Sequence, residues 1–166
     1  MPAPRLLFVC TGNATRSVIA EALVRRDRPD WRVTSAGTWA IPGLPSSRRT
    51  LAALESVGVS APGHRSRTLS AHHLDDADLV VTFERDHVAY IRQRFPAAAA
   101  YTTTLPSLLD SAWPLPDLAL VNVRDLREVD DPAGGEIEDF VACAQAISAD
   151  VSALLPRLDS WPGGPA

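Results

Sequence analysis

The sequence lacks several features that mark particular classes of protein. It contains no lysine, and because alanine and proline are abundant we attribute this to a GC-rich coding sequence rather than to a function. Acidic residues exceed arginines, and the net charge of −4 argues against the basic surface of a nucleic-acid-binding protein. No apolar run reaches the length of a membrane span and no signal segment opens the chain, so we expect no membrane association.

Cysteine is almost absent as well. The two cysteines, Cys10 and Cys143, cannot build a disulfide framework, so we expect a reducing, cytoplasmic compartment. Cys143 is predicted to be a small buried residue on the last helix, distant from Cys10. No cluster of histidine, cysteine and carboxylate has metal-ligand spacing, so neither a metal nor another cofactor is expected. The adjacent His72 and His73 are predicted to be a surface pair, since neighbours on a helical turn point apart.

Apolar runs and helical patterns alternate along the chain and predict an α/β fold. The predicted strands cover residues 5–10, 31–35, 78–83 and 99–104. The predicted helices cover residues 17–27, 46–57, 85–95 and 136–155, with a short helical turn at 70–74. This order indicates a four-stranded parallel sheet with helices on both faces. We predict a single domain over residues 1–166, with a flexible tail over 156–166.

The most informative segment, Cys10 to Ser17 (CTGNATRS), joins the first predicted strand to the first helix. A helix N-terminus carries unpaired N–H groups and a partial positive charge, which together favour a bound oxyanion. Gly12 and Asn13 tolerate the positive φ that lets successive N–H groups point inward. The planar guanidinium of Arg16 can bind two phosphate oxygens. The segment therefore predicts a phosphate-binding loop.

Cys10 is predicted to be the nucleophile that attacks the bound phosphate. The positive field that holds an oxyanion also favours a thiolate, and the Ser17 hydroxyl can donate to the sulfur. The alternative is a buried cysteine followed by an unrelated capping loop, which leaves the Gly12–Asn13 pair unexplained. Six residues of the loop are predicted to bind substrate: Thr11, Gly12, Asn13, Ala14, Thr15 and Ser17.

The sequence VCTGN at 9–13, followed by TRS at 15–17 and AEA at 20–22, resembles the Cys-x5-Arg signature of the low-molecular-weight protein tyrosine phosphatases. The resemblance spans nearly the whole chain and is weakest over 96–130. It implies a flavodoxin-like, doubly wound sheet. It also implies hydrolysis of phosphomonoesters through a phosphocysteine intermediate, with phosphotyrosine proteins or aryl phosphates as substrates. A monomer or weak dimer is expected.

A general acid is also needed, because the leaving oxygen must be protonated. The resemblance assigns this role to an Asp-Pro pair near the C-terminus, which here is Asp131-Pro132. We prefer Asp131 to Asp130 because Asp131 directly precedes the proline. The alternative is that both acids merely begin a turn.

The resemblance implies further supporting residues. Ser35 and His64 are expected to join Asn13 and Ser17 in a hydrogen-bond network behind the loop. A histidine on the surface of its own loop is the alternative for His64.

Three positions depart from the family's pattern. Thr15 stands where many members carry a second cysteine, and Val18 replaces a common proline. Ala133 replaces the aromatic residue that usually follows the Asp-Pro pair and helps form the wall of a phenyl-phosphate slot. Trp39 either forms a wall of this slot or anchors its own loop.

Two other functions remain open from the sequence. Thioredoxin-linked arsenate reductases share this fold and loop but relay oxidation through two further cysteines, whereas this chain has only Cys143 besides Cys10. An arsenate reductase using an external thiol is therefore one alternative. A non-catalytic phosphate- or phosphotyrosine-binding module is the other, although such a module needs no general acid at position 131.

Overall fold

A computed structural model describes residues 3–163 of the chain. Its centre is one sheet of four parallel strands in the order β2–β1–β3–β4, which confirms the predicted sheet. The strands are β1 (Leu6–Cys10), β2 (Val33–Gly37), β3 (Leu79–Thr82) and β4 (Thr102–Thr104). The helices are α1 (Arg16–Asp27), α2 (Arg48–Ser56), α3 (Ala71–Asp75), α4 (Arg85–Arg94), α5 (Leu105–Asp110) and α6 (Ile137–Leu158).

The alternating side chains of β1 divide the core into two layers, as the pleat of a strand requires. Leu6, Phe8 and Cys10 face a large apolar cluster that includes residues of α1, α2, α5 and α6. Leu7 and Val9 face a smaller cluster that includes residues of α3 and α4. Helices therefore cover both faces of the sheet, as the sequence predicts.

The carboxyl end of β1 is the point where the strand order reverses. β2 pairs with one edge of β1 and β3 with the other, so their connections leave in opposite directions. In parallel α/β sheets this crevice is the usual place for a ligand. The segment from Cys10 to Arg16 lies at this point.

Several element boundaries differ from the sequence prediction. β2 begins at Val33 rather than at residue 31, and residues 96–101 form a 3₁₀ helix instead of the start of β4. Pro96 and the four alanines of that segment lack the β-branched side chains that favour a strand, whereas Thr102–Thr104 have them.

The predicted tail over 156–166 also differs. α6 continues to Leu158, and Trp161 is buried with its ring edge-on to Trp113, the ring centroids 5.6 Å apart. Burial of this large aromatic surface fixes the chain after the helix. Residues 164–166 lie outside the described part. Within residues 3–163, no helix combines the length and apolarity that crossing a membrane requires.

Candidate active site

The phosphate loop, defined here as residues 10–16, begins on the last residue of β1 and ends on the first residue of α1. Asn13 has a φ of +50° and is fully buried, so it supplies the left-handed turn that the sequence predicts. Gly12 does not adopt a positive φ, which corrects the reason given for that glycine. The turn directs the loop back over the end of β1.

Gly37, at the end of β2, is a residue that the sequence analysis missed. A Cβ at this position would lie 2.5 Å from the Thr11 carbonyl oxygen and 2.8 Å from the Asn13 nitrogen. Because backbone atoms cannot yield as a flexible side chain can, only glycine permits this approach of strand and loop. The backbone N–H groups of Thr38 and Trp39 then donate to the Cys10 and Thr11 carbonyls, both at 2.9 Å.

A chain of hydrogen bonds runs from the thiol into the core. The Cys10 Sγ lies 3.0 Å from the Ser17 Oγ, which accepts a bond from Asn13 Nδ2 at 3.0 Å. Asn13 Nδ2 also donates to Ser35 Oγ at 2.9 Å, and Ser35 donates to the Glu21 carboxylate at 2.5 Å. Since Ser17 accepts from Asn13, its own hydrogen is free to donate to the sulfur.

The two oxygens of Asn13, its backbone carbonyl oxygen and Oδ1, are bound by the segment after Gly63. His64 Nε2 lies 2.9 Å from the Asn13 carbonyl oxygen and must donate, since a carbonyl only accepts. The backbone N–H of Arg67 donates to Asn13 Oδ1 at 3.0 Å. The structure therefore places Ser35 and His64 beside Asn13 and Ser17, in the arrangement that the resemblance implies.

Arg16 is the largest of the fully buried side chains, with 2% of its surface exposed. A buried guanidinium needs partners for its charge and its donors. Its Nη1 donates to the Val129 carbonyl at 2.8 Å, and its Nη2 lies 3.2 Å from Glu84 Oε2 and 3.3 Å from Asp131 Oδ2. The Arg16 Cζ also lies 5.9 Å from the ring centroid of Phe83. These contacts fix the arginine beside the loop.

Asp131 rather than Asp130 has its carboxylate at the loop. One oxygen lies near Arg16, and the other accepts a bond from the backbone N–H of Ala133 at 3.0 Å. The Asp131 side chain is 40% exposed, so it can reach both a substrate and water. Pro132 is buried and anchors the turn.

Glu84 and His87 are further residues that the sequence analysis missed. Both follow β3, whose carboxyl end lies beside that of β1, and this position in the chain was an available signal. His87 is 2% exposed, and its Nε2 lies 2.9 Å from Thr11 Oγ1 and 3.2 Å from Glu84 Oε2. Burial, and secondarily the positive charge of Arg16, lowers the pKa of His87 to about 3, while the Asp131 charge opposes this shift.

We expect His87 to make stability depend on pH. Its pKa is lower in the folded than in the unfolded state, so the unfolded chain binds more protons between pH 6.5 and about 3. Stability therefore falls as the pH falls through that range. Between pH 7 and pH 5 the wild type should lose about 2 kcal/mol more unfolding free energy than His87→Asn. Urea unfolding at both pH values measures this, and equal losses in the two proteins would contradict it.

Thr15 is turned toward α2. Its Oγ1 lies 2.9 Å from the Thr50 Oγ1, which itself donates to the Ala14 carbonyl at 3.0 Å. Because the Thr50 hydrogen is used in this second bond, Thr15 is the donor to Thr50. α2 thus holds the end of the loop, and no pattern in the sequence indicates this role for Thr50.

Trp39 is on the loop after β2, with 81% of its surface exposed. An exposed indole buries little area, so Trp39 does not anchor its own loop. Its backbone is bonded to Thr11, which places it at the edge of the phosphate loop. Its role as a wall for substrate stays a prediction. Ala133 is also exposed and supplies no opposite wall.

Cys143 is buried, as predicted, but the prediction that it lies far from Cys10 is wrong. Its Sγ is 3.9 Å from the Asp130 carbonyl oxygen, directly behind the Asp131 turn. Burial raises the pKa of Cys143 to about 11, and the charges of Arg16, Asp131 and Cys10 are close enough to contribute. The fold brings α6 back to the carboxyl edge of the sheet, which the chain separation of the two cysteines does not reveal.

We expect the two cysteines to differ strongly in reactivity. A thiol with a pKa of about 11 is almost entirely protonated at pH 7, whereas alkylation requires the thiolate. Iodoacetamide at pH 7 should therefore modify Cys10 and leave Cys143 intact, and inorganic phosphate should slow the reaction. Mass spectrometry of tryptic peptides measures both sites. Alkylation of Cys143 at a rate similar to that of Cys10 would contradict this prediction.

Metal ligands are not grouped in the described part of the chain. Among residues 3–163, no set of three or more histidine, cysteine or carboxylate side chains is arranged to hold an ion. A cleft of about 560 Å³ does lie behind the Asp131 turn, between residues 127–135 and α6.

Comparisons with known proteins agree with this geometry. The sequence profile of the family described as "Low molecular weight phosphotyrosine protein phosphatase" matches residues 5–161. A protein-arginine-phosphatase from Geobacillus stearothermophilus is 32% identical over 94% of this chain and 97% of its own length. The low molecular weight protein-tyrosine-phosphatase Etp from Escherichia coli K12 is 34% identical over 58% of this chain and 66% of its own length.

Solved structures show the same similarity. The YwlE arginine phosphatase from Geobacillus stearothermophilus has a TM-score of 0.81 and 32% identity, covering 95% of this chain and 94% of that one. The tyrosine phosphatase Wzb from Escherichia coli K30, solved in complex with sulphate, has a TM-score of 0.79 and 25% identity. That comparison covers 95% of this chain and 99% of the other.

Proposed function

This chain belongs to the low molecular weight phosphotyrosine protein phosphatase family and is an enzyme, and we propose that it hydrolyses phosphorylated protein side chains in two steps through Cys10. The observation that carries the proposal is the convergence of a thiol, a buried guanidinium and an exposed carboxylate at one loop. Cys10 and Arg16 lie at its two ends, and Asp131 Oδ2 is 3.3 Å from Arg16.

In the first step, the Cys10 thiolate attacks phosphorus in line with the leaving oxygen. The S–P bond forms as the P–O bond to the leaving group breaks, and Asp131 gives its proton to that oxygen. The negative charge on the phosphoryl oxygens is stabilised by Arg16 and by backbone N–H groups at the start of α1. The Ser17 hydroxyl, 3.0 Å from the sulfur, supports the thiolate.

In the second step, water hydrolyses the phosphocysteine. Asp131, now ionised, takes a proton from the water as the water oxygen attacks phosphorus. The S–P bond breaks, the thiolate is regenerated, and inorganic phosphate leaves. Asp131 has the exposure that contact with water requires, since 40% of its side chain is accessible.

Phosphotyrosine is the substrate that the family description supports. Trp39, exposed at the edge of the loop, would form one side of the slot for its ring. The small side chain of Ala133 would leave the opposite side of this slot open to larger substrate groups. The two free cysteines support a reducing, cytoplasmic location.

Phosphoarginine is a second candidate, favoured by two observations. The relative that matches 94% of this chain is a protein-arginine-phosphatase. In addition, Glu84 and Asp131 each have an oxygen within 3.3 Å of the same Arg16 nitrogen, so two carboxylates stand at the site. Carboxylates repel an additional anion but complement a guanidinium, which phosphoarginine carries and phosphotyrosine does not.

One experiment tests the function and separates the candidates. Two peptides of identical sequence, one with phosphotyrosine and one with phosphoarginine, are incubated with the protein, and phosphate release is measured. p-Nitrophenyl phosphate serves as a general substrate, and arsenate with an added thiol tests the arsenate reductase alternative. Hydrolysis of p-nitrophenyl phosphate and of at least one peptide is expected. A protein that hydrolyses none of them would contradict the proposal, and arsenate-dependent thiol oxidation would then favour the reductase.

A further inference from the structure

His87 carries its one ring hydrogen on Nε2. Its Nδ1 accepts hydrogen bonds from the backbone N–H groups of Glu84, at 3.1 Å, and Phe83, at 3.4 Å. A ring nitrogen that accepts a bond carries no hydrogen, and a neutral imidazole has a single N–H. Because burial keeps this ring neutral at physiological pH, that N–H is Nε2–H.

The position of this hydrogen determines what the Thr11 hydroxyl can do. The Nε2 of His87 lies 2.9 Å from Thr11 Oγ1, and a protonated nitrogen can only donate to it. Thr11 therefore accepts from His87, and its own hydrogen points elsewhere. In the part of the chain that the structure describes, the Thr11 hydroxyl has no second hydrogen-bond partner. Thr11 directly follows the nucleophile, so its hydrogen is available to a bound phosphoryl group.

The same imidazole also contacts the partner of the catalytic arginine. Glu84 Oε2 lies 3.2 Å from His87 Nε2 and 3.2 Å from Arg16 Nη2. The Val129 carbonyl accepts a bond from the other terminal nitrogen of Arg16. These contacts hold the guanidinium in place beside the loop.

We propose that His87 is a positioning residue, whose Nε2–H fixes the Thr11 hydroxyl as a donor to the phosphoryl group. This inference rests on the proposed phosphatase function. His87 itself touches no reacting atom. It acts through the Thr11 hydroxyl, and its neutral state leaves this contact unchanged through the physiological pH range.

Two amide substitutions test the roles of the two ring nitrogens of His87 separately. In His87→Asn, the amide oxygen can replace Nδ1 as the acceptor at the helix start, but nothing reaches Thr11 or Glu84. In His87→Gln, the longer side chain places an amide N–H near the position of Nε2. Thr11→Val removes the hydroxyl and keeps the shape. His73→Asn is a matched control, because His73 is also the third residue of a helix and accepts from the backbone N–H of Ser70 at 3.1 Å.

The measurement is kcat/KM for p-nitrophenyl phosphate. We expect a fall of about tenfold in His87→Asn and in Thr11→Val, as for the loss of one hydrogen bond to a charged group. The double variant should fall little further, because both changes remove the same interaction. His87→Gln should recover to within about threefold of the wild type, and His73→Asn should match the wild type.

Three results would overturn the proposal. The first is a folded His87→Asn protein within about twofold of wild-type kcat/KM. The second is an additional fall in the double variant to about a hundredfold, which would mean independent effects. The third is normal activity in Thr11→Val, which decides the question even if the His87 variants do not fold.

Vanadate binding distinguishes failure of this inference from failure of the proposed function. The dissociation constant of vanadate should rise about tenfold in Thr11→Val. A wild type that binds vanadate but hydrolyses nothing contradicts the phosphatase function, and the comparison with Thr11→Val still tests the role of the hydroxyl. A wild type that does not bind vanadate overturns both.

Discussion

Replacing Cys10 with serine is expected to lower kcat for p-nitrophenyl phosphate by at least about 10⁴-fold. A serine hydroxyl is not ionised at neutral pH and needs a neighbouring base to attack phosphorus. Neither nearby histidine can serve, because His64 donates to the Asn13 carbonyl and His87 Nε2 faces Thr11 and Glu84. Release of p-nitrophenolate under saturating substrate measures the loss.

The control for this prediction is the other cysteine. Cys143→Ser should retain activity, since among residues 3–163 the hydrogen-bond partner of that sulfur is the Asp130 carbonyl and not a group of the phosphate loop. Cys10→Ser should still bind vanadate or phosphate, because Arg16 and the N–H groups at the start of α1 remain. Turnover by Cys10→Ser within tenfold of the wild type would contradict a thiolate mechanism.

Replacing Asp131 with asparagine is expected to have an effect that depends on the leaving group. A good leaving group such as p-nitrophenolate departs with little protonation, whereas phenolate needs a proton from the general acid. For phenyl phosphate, kcat/KM should fall by about 10²- to 10⁴-fold, and for p-nitrophenyl phosphate much less. Phosphate release measured with each substrate gives the ratio of the two kcat/KM values.

Asp130→Asn provides the matched comparison, since it changes the adjacent carboxylate in the same way. Asp130 does not share the ion pair with Arg16 that Asp131 makes at 3.3 Å. In Asp130→Asn, we expect the ratio of kcat/KM for p-nitrophenyl phosphate to kcat/KM for phenyl phosphate to equal that of the wild type. Equal losses on both substrates in Asp131→Asn would argue that the carboxylate only positions Arg16.

The sheet was predictable because its signals are local. Short apolar runs separated by helical patterns specify parallel strands wherever the chain must bury both faces of a sheet. The boundaries that differ have tertiary causes. Trp161, just after the end of α6, is buried against Trp113, which lies far away in the chain.

The residues of the site also divide into those that local sequence predicts and those that only the fold brings together. Cys10 to Ser17 are contiguous, so the phosphate loop could be predicted from the sequence, and the resemblance added Asp131, Ser35 and His64. Gly37 could not be identified, because its importance comes from a close backbone approach that only the fold creates. The position of His87 after β3 was an available signal, but its burial and its contact with Thr11 are visible only in the fold. The proximity of Cys143 to the Asp131 turn was missed for that reason too.

The two carboxylates at Arg16 have a consequence for inhibitor design. Glu84 and Asp131 both lie against the guanidinium of Arg16, so a simple phosphonate that binds Arg16 meets the repulsion of two carboxylates. A compound that joins a phosphonate to an amidine or a primary amine would instead form an ion pair with these acids. Such a zwitterion should discriminate between this enzyme and any relative that has a neutral side chain at the position of Glu84.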